Sequence, residues 1–124
     1  MTYRVSKRFG FSASHVLTGL GDDHPCSRLH GHNYEVEVIA EAAELDERGF
    51  VVDFRELDDV KRWIDATLDH RHLNDVMDGQ PSAEAIARLV SDWATTNLPA
   101  AVASKVVAVR AWETPRAYAE YRAD

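Results

Sequence analysis

Cysteine occurs once in the 124 residues, at position 26, so no internal disulfide can form. A lone thiol suits a reducing compartment, and a cytoplasmic setting is expected. Long apolar runs are also missing. No stretch approaches the roughly 18 consecutive apolar residues of a membrane span, and the opening MTYRVSKRFGF has no apolar core of a signal peptide. Basic excess is absent: 21 acidic residues face 14 basic ones, for a formal net charge of −7. Counterion-release binding to nucleic acid or an anionic membrane needs a basic face, so neither partner is expected. Low-complexity segments, linkers and internal repeats are absent as well. With 45% apolar and 28% charged residues, the chain reads as one folded domain over residues 1–124.

What is present has period. Tyr3 to His15 alternates loosely and predicts a long strand, with Gly10 at a bulge. Thr18 to Leu29 carries Gly19, Gly21, Asp22, Asp23 and Pro25, the chemistry of a loop. His32 to Ala40 alternates again, with Tyr34, Val36 and Val38 on one face and Glu35 and Glu37 on the other. After a turn at Asp46–Gly49, the run Phe50-Val51-Val52 reads as a third strand in an antiparallel hairpin with the second.

Asp53 and Glu56 have capping-box spacing, and Phe54, Leu57, Val60, Lys61, Ile64 and Leu68 follow a helical stripe on which Lys61 is the polar exception. Ser82 reads as the N-cap of a second helix with Ile86, Leu89, Val90 and Trp93 inward. Val106 to Trp112 is rich in β-branched residues and predicts a fourth strand ending at Glu113. The order β-β-β-α-α-β gives an α+β domain, a four-stranded antiparallel sheet with two helices on one face. Its open edges and bare sheet face favour a homo-oligomer.

His30-Gly31-His32 puts two imidazoles on one side of an extended backbone. His15 can supply a third nitrogen if the first two strands pair there. Three histidines and one open position make the donor set of a catalytic zinc site. Spacing alone is weak, since His70-Arg71-His72 repeats it.

The surroundings are more specific. Phe11-Ser-Ala-Ser-His15 and Cys26-Ser-Arg-Leu-His30-Gly-His32-Asn-Tyr34 resemble the signature of the 6-pyruvoyltetrahydropterin synthase family. Gly49-Phe-Val-Val-Asp53-Phe54, Leu68-Asp69-His70 with Leu73-Asn74, Pro81-Ser-Ala-Glu84 and Trp112-Glu113-Thr114 with Tyr118 continue the match in order, spanning residues 3 to 121. The resemblance implies the tunnelling fold, assembled as homotrimers or hexamers, and a small-molecule pterin triphosphate as substrate. It makes His15, His30 and His32 the Zn2+ ligands, Cys26 the catalytic thiol, Asp69 and His70 its proton relay, and Glu113 the anchor of the pterin ring, with Ser82 a further ring contact.

These residues suit the chemistry implied. A thiol is largely protonated at neutral pH, so Cys26 needs an electropositive setting to take a carbon-bound proton. A carboxylate such as Glu113 can accept two parallel hydrogen bonds from the pterin's ring N–H and amino group. Lys7, Arg8 and Arg28 are the candidate triphosphate partners. His24 and His72 read as ordinary polar residues. Only three residues separate Cys26 from His30, a spacing that resembles the bacterial 6-carboxy-5,6,7,8-tetrahydropterin synthases of 7-deazapurine (queuosine) precursor formation. The pyruvoyl-forming reaction and a silent pterin-binding homologue remain the alternatives. Ser82 in place of Thr keeps a hydroxyl, whereas Ala85 in place of Asn loses an amide.

Overall fold

Strand pairing begins where the alternation is longest. The computed structural model describes residues 1–123. Strands β1 (Tyr3–His15) and β2 (His30–Ala42) pair antiparallel over thirteen positions, from Tyr3 opposite Ala42 to His15 opposite His30. The register runs through Gly10 without a shift, so the expected bulge is absent there. Helix α1 (Asp58–Thr67) follows, then a two-residue strand β3 (Arg71–His72) and three further helices: α2 (Leu73–Val76), α3 (Ala83–Asn97) and α4 (Ala100–Ala103). Strands β4 (Val106–Thr114) and β5 (Ala117–Tyr121) close the chain's order of elements. The sheet order is β3-β1-β2-β4-β5, antiparallel except for the parallel β1–β3 contact.

The α+β class read from the sequence holds, with two long helices on one face of the sheet. The strand list needs three corrections. Phe50-Val51-Val52 is not a strand, and β2 pairs instead with β1 and β4. Asp46 receives the N–H groups of Arg48 and Phe50 on one carboxylate oxygen, and Gly49 adopts φ 86° to close the turn. Asp53 then caps the next element at once through a complete capping box with Glu56, so no length is left for a strand. Val51 and Val52 are apolar because they are core, 2% and 4% exposed. The second correction is β5, whose Ala-Tyr-Ala-Glu-Tyr text has little β signal and forms by pairing with β4. The third is β3, which makes the sheet mixed and five-stranded.

The core lies between sheet and helices. Phe9, Phe11, Tyr34, Val36, Val38, Val109 and Ala111 come from the sheet, and Leu57, Val60, Ile64, Leu68, Ile86 and Val90 from the helices. Lys61, the polar residue on the α1 stripe, reaches the strand edge, where its Nζ donates to the Gly10 carbonyl (2.7 Å) and pairs with Asp65. On the bare face Glu37 is only 7% exposed. It accepts from Trp112 Nε1 (3.2 Å) and lies 3.6 Å from Arg110. Arg8 lies over the Trp112 ring at 4.2 Å, so charge and aromatic surface cover one another on this side.

Ser82 caps α3, with its Oγ accepting from Ala85 N (3.2 Å). Losing an N-cap hydroxyl costs about 1 kcal/mol. Ser82→Ala should therefore lower the unfolding free energy by about that amount, read as a reduced urea midpoint with an unchanged slope.

Candidate metal centre and adjoining cavity

The β1–β2 register brings three imidazoles together. Residues directly opposite in an antiparallel pair share a face, so His15 and His30 lie side by side, and His32 follows two positions on. The ring centroids are 4.5–5.2 Å apart in edge-on arrangements. One ligating nitrogen from each lies within 4.8 Å of the others. His15 is wholly buried.

The outer nitrogens fix the tautomers. His15 Nδ1 lies 2.8 Å from the Pro81 carbonyl, and His30 Nδ1 lies 2.7 Å from the Arg28 carbonyl. A carbonyl oxygen only accepts, so both Nδ1 atoms carry the proton. In neutral rings the two Nε2 atoms then present lone pairs to each other, 2.9 Å apart. His32 Nε2 is buried without a well-directed hydrogen bond, although Glu113 Oε2 is 3.1 Å away. Burial holds the His32 imidazole below its ordinary pKa, against the raising influence of the Glu113 charge. Neutral rings with converging lone pairs can hold a metal ion, and tetrahedral zinc would space its nitrogen ligands by about 3.3 Å. The donor set fits. Tyr34, stacked on Phe11, brings its hydroxyl to 3.3 Å from His15 Nδ1. Burial, and then the Glu113 charge, raise its pKa above the ordinary phenol value.

Glu113 sits where the β4–β5 register shifts, between Trp112 and Thr114. Alternation from the core residue Ala111, which lies opposite Val36, puts the Glu113 carboxylate on the histidine face, 3.1 Å from His32 and 4.0 Å from His15. It also lines a cavity of about 300 Å³ with Glu84, Ala83, Thr114, Tyr118 and Ala119. Glu84, in the first turn of α3, was quoted in the sequence motif without a role. Among the described residues it makes no ion pair, so it is a second carboxylate open to the cavity. Ser82 is at the adjacent helix start, with its oxygen engaged in capping.

Asp69 and His70 are held against β1. Ser12 N donates to Asp69 Oδ1 (2.9 Å), and His70 N donates to the Ser12 carbonyl (2.6 Å). His70 takes a left-handed backbone, φ 59°, which histidine tolerates better than most residues. Its Nδ1 is 3.0 Å from Asp69 Oδ2, and its side chain is 81% exposed. Asp69 thus lies within ion-pair distance of the ring. Cys26 sits in a 3₁₀ turn, Pro25–Ser27, whose N-cap is His24. Among the described residues its thiol makes no hydrogen bond, and nothing joins it to Asp69 or His70 within one chain. His24 is a cap and His72 pairs with Ser14 Oγ (2.9 Å), so both play the ordinary polar parts expected.

Two of the three cations proposed for triphosphate are poorly placed in one chain, whereas Arg28 adjoins His30 and makes no ion pair among the described residues. Lys7 is bound to Asp58 and Arg8 to the Trp112 ring. Arg8 precedes His15 by seven positions on an extended strand, about 23 Å at 3.3 Å per residue.

Two outcomes follow. Cobalt titrated into metal-free protein should bind one ion per chain with the absorption of a tetrahedral site, and His15→Ala or His32→Ala should abolish it. The Ser12 N–H, and then His70, hold the Asp69 carboxyl below the ordinary carboxylate range. A depressed carboxylate stabilises the fold above its unfolded pKa, about 3.9, and that contribution fades as pH falls through the lower folded value. Asp69→Asn keeps the Ser12 acceptor, so stability measured below about pH 4 should fall less steeply in the variant than in the parent.

Comparison with known proteins agrees with this geometry. Residues 4–124 match the family model described as 6-pyruvoyl tetrahydropterin synthase. The dihydroneopterin monophosphate aldolase of Pyrococcus furiosus is 35% identical over 113 residues, covering 91% of each chain. The 6-carboxy-5,6,7,8-tetrahydropterin synthase of Bacillus subtilis is 31% identical over 130 residues, covering 98% of this chain and 86% of that one. The 6-pyruvoyl tetrahydropterin synthase of Caenorhabditis elegans superposes with a TM-score of 0.85 at 24% identity, covering 100% of this chain and 97% of that one. That likeness confirms the fold.

Proposed function

The chain belongs to the 6-pyruvoyl tetrahydropterin synthase family, and from that premise we propose that it is a zinc-dependent 6-carboxy-5,6,7,8-tetrahydropterin synthase. It converts 7,8-dihydroneopterin triphosphate and water to 6-carboxytetrahydropterin, acetaldehyde and triphosphate, on the route to 7-deazapurines such as queuosine precursors. The observation that carries this reading is the convergence of His15, His30 and His32 beside a cavity walled by two carboxylates. The short Cys26–His30 spacing and the Bacillus subtilis relative support the carboxy product.

Zinc at the three imidazoles supplies Lewis-acid stabilisation for charge on the substrate's side-chain oxygens. The remaining work falls to the chain. Cys26 takes the carbon-bound proton as thiolate. His70, its Nδ1 held by Asp69, leaves Nε2 to pass a proton. The pterin edge presents two parallel donors that one carboxylate accepts. Glu113, the anchor expected from sequence, lines the cavity and keeps that role, with one oxygen facing His32 so that the ring pocket adjoins the metal centre, and Glu84 is a second carboxylate on the same wall. Ser82 Oγ, an acceptor from Ala85 N, still has its proton to donate to the ring. Since Cys26 and His70 do not meet within one chain, the site is completed between copies in a homotrimer or hexamer, across the open edges of β1 and β5.

One observation favours a second reading. The Pyrococcus furiosus relative named dihydroneopterin monophosphate aldolase is 35% identical over 91% of both chains. An aldolase cleaves a carbon–carbon bond of such a side chain by taking a hydroxyl proton rather than a carbon-bound one, as the C=O bond forms and the electron pair of the broken bond passes to the ring side. The phosphate count of the substrate and the product separate the two.

Zinc-loaded protein given each phosphate ester separately, with mass spectrometry and an acetaldehyde trap, tests the assignment. Carboxytetrahydropterin with acetaldehyde from the triphosphate is the expected result. A hydroxymethyl pterin from the monophosphate would install the aldolase reading, and a pyruvoyl product the sister branch. Cys26→Ala should lose at least about 100-fold in kcat while retaining zinc. Glu84→Gln should raise KM about tenfold or more with kcat less affected, because a charge-assisted contact is worth about 1.5–3 kcal/mol.

A further inference from the structure

We propose that Asn74 and Gln80 are positioning residues whose side-chain amides continue β1 past His15 and thereby fix the backbone of Cys26. The inference rests on the reading of Cys26 as the acid–base group, and its structural half can be measured without any turnover.

Strand β1 ends at His15, yet the next three residues keep a strand's alternation without a strand beside them. Val16 N donates to Asn74 Oδ1, and Asn74 Nδ2 donates to the Val16 carbonyl, both at 2.9 Å. Two positions on, Thr18 N donates to Gln80 Oε1 (2.9 Å), and Gln80 Nε2 donates to the Thr18 carbonyl (2.7 Å). The Thr18 hydroxyl adds a third bond to Gln80 Oε1 (3.0 Å). A primary amide carries the same donor and acceptor as a peptide group. Each of these side chains therefore closes the two-bond ring that a facing strand residue would close.

The alternation has a second consequence. With Val16 turned to α2 and Thr18 to the segment between α2 and α3, the Leu17 backbone faces the other way, where its N–H donates to the Cys26 carbonyl (2.9 Å). The other bonds around Cys26 stay inside its own loop: Cys26 N to His24 Nδ1, Ser27 Oγ to the Gly21 carbonyl, and Ser27 N to the His24 carbonyl. Among the described residues, Leu17 to Cys26 is the bond that ties this turn to the strand. Pro81, next to Gln80, accepts from His15 Nδ1. One short segment thus sets the tautomer of a metal-site histidine and, through Leu17, the location of the thiol's backbone.

The test compares the full-length, zinc-loaded protein with Gln80→Ala and Asn74→Asp. Gln80 is exposed, so its truncation leaves the core intact. Asp at position 74 keeps the acceptor but sets an oxygen against the Val16 carbonyl. Amide hydrogen exchange at Leu17 should lose protection about tenfold in both variants, while Val36 and Val38 in the core strand keep theirs. Steady-state kcat should fall about tenfold with KM little changed, as a misplaced reacting group requires. Unchanged Leu17 protection in both variants overturns the proposal, and so does lost protection with full kcat. If the unsubstituted protein turns over neither phosphate ester, the functional reading fails, and Leu17 exchange alone decides whether the two amides hold the segment.

Discussion

Two imidazole nitrogens 2.9 Å apart, each with its proton committed to the far side of the ring, cannot rest lone pair to lone pair. A cation between them removes the conflict, and the nearby His32 nitrogen, buried without a directed partner, supplies a third donor. Much of the molecule is arranged around that constraint. The Pro81 carbonyl that fixes His15 sits immediately before the capped start of α3, and the Arg28 carbonyl that fixes His30 sits two residues before the start of β2. Folding the chain therefore assembles the donor set and its orientation together.

The sheet does the placing. A one-residue slip of β1 against β2 would send His15 to the opposite face from His32, and the core residues Phe9, Phe11, Tyr34 and Val36 with it. The apolar contacts that stabilise the fold therefore also specify the metal centre. Alternation from the core residue Ala111 turns Glu113 inward, and the adjoining cavity opens beside the first turn of α3. The relay pair is set by a different device. Asp69 and the left-handed His70 are pinned to Ser12 of β1, immediately before the two-residue parallel strand β3 begins at Arg71.

Long uninterrupted periods and local caps were legible in the text. The two long strands, the capping box at Asp53 and the Ser82 cap all stand where alternation, stripe and spacing put them, and the His30–His32 pair shares a face for the same reason. Features made by neighbours were not. Val51 and Val52 look like a strand because burial and β-propensity favour the same residues, whereas Ala117–Tyr121 is a strand only because β4 lies alongside. Gly10 suggested a bulge and lies in regular pairing. Glu113 takes its face from the alternation of β4, but its closeness to His32 comes from the pairing of β4 with β2, which no local signal announces. The open carboxylate of Glu84, and the amides of Asn74 and Gln80, stood within or beside recognisable motifs, but their partners lie on backbone far away in sequence.

The account rests most on the three histidines as the ligand set, with Cys26 left free for chemistry. X-ray absorption fine structure of the zinc-loaded protein tests this directly. Three imidazole nitrogens at about 2.0–2.1 Å with a light-atom fourth ligand is the result the account predicts. A sulfur scatterer at about 2.3 Å would make Cys26 a ligand rather than a base and would contradict it.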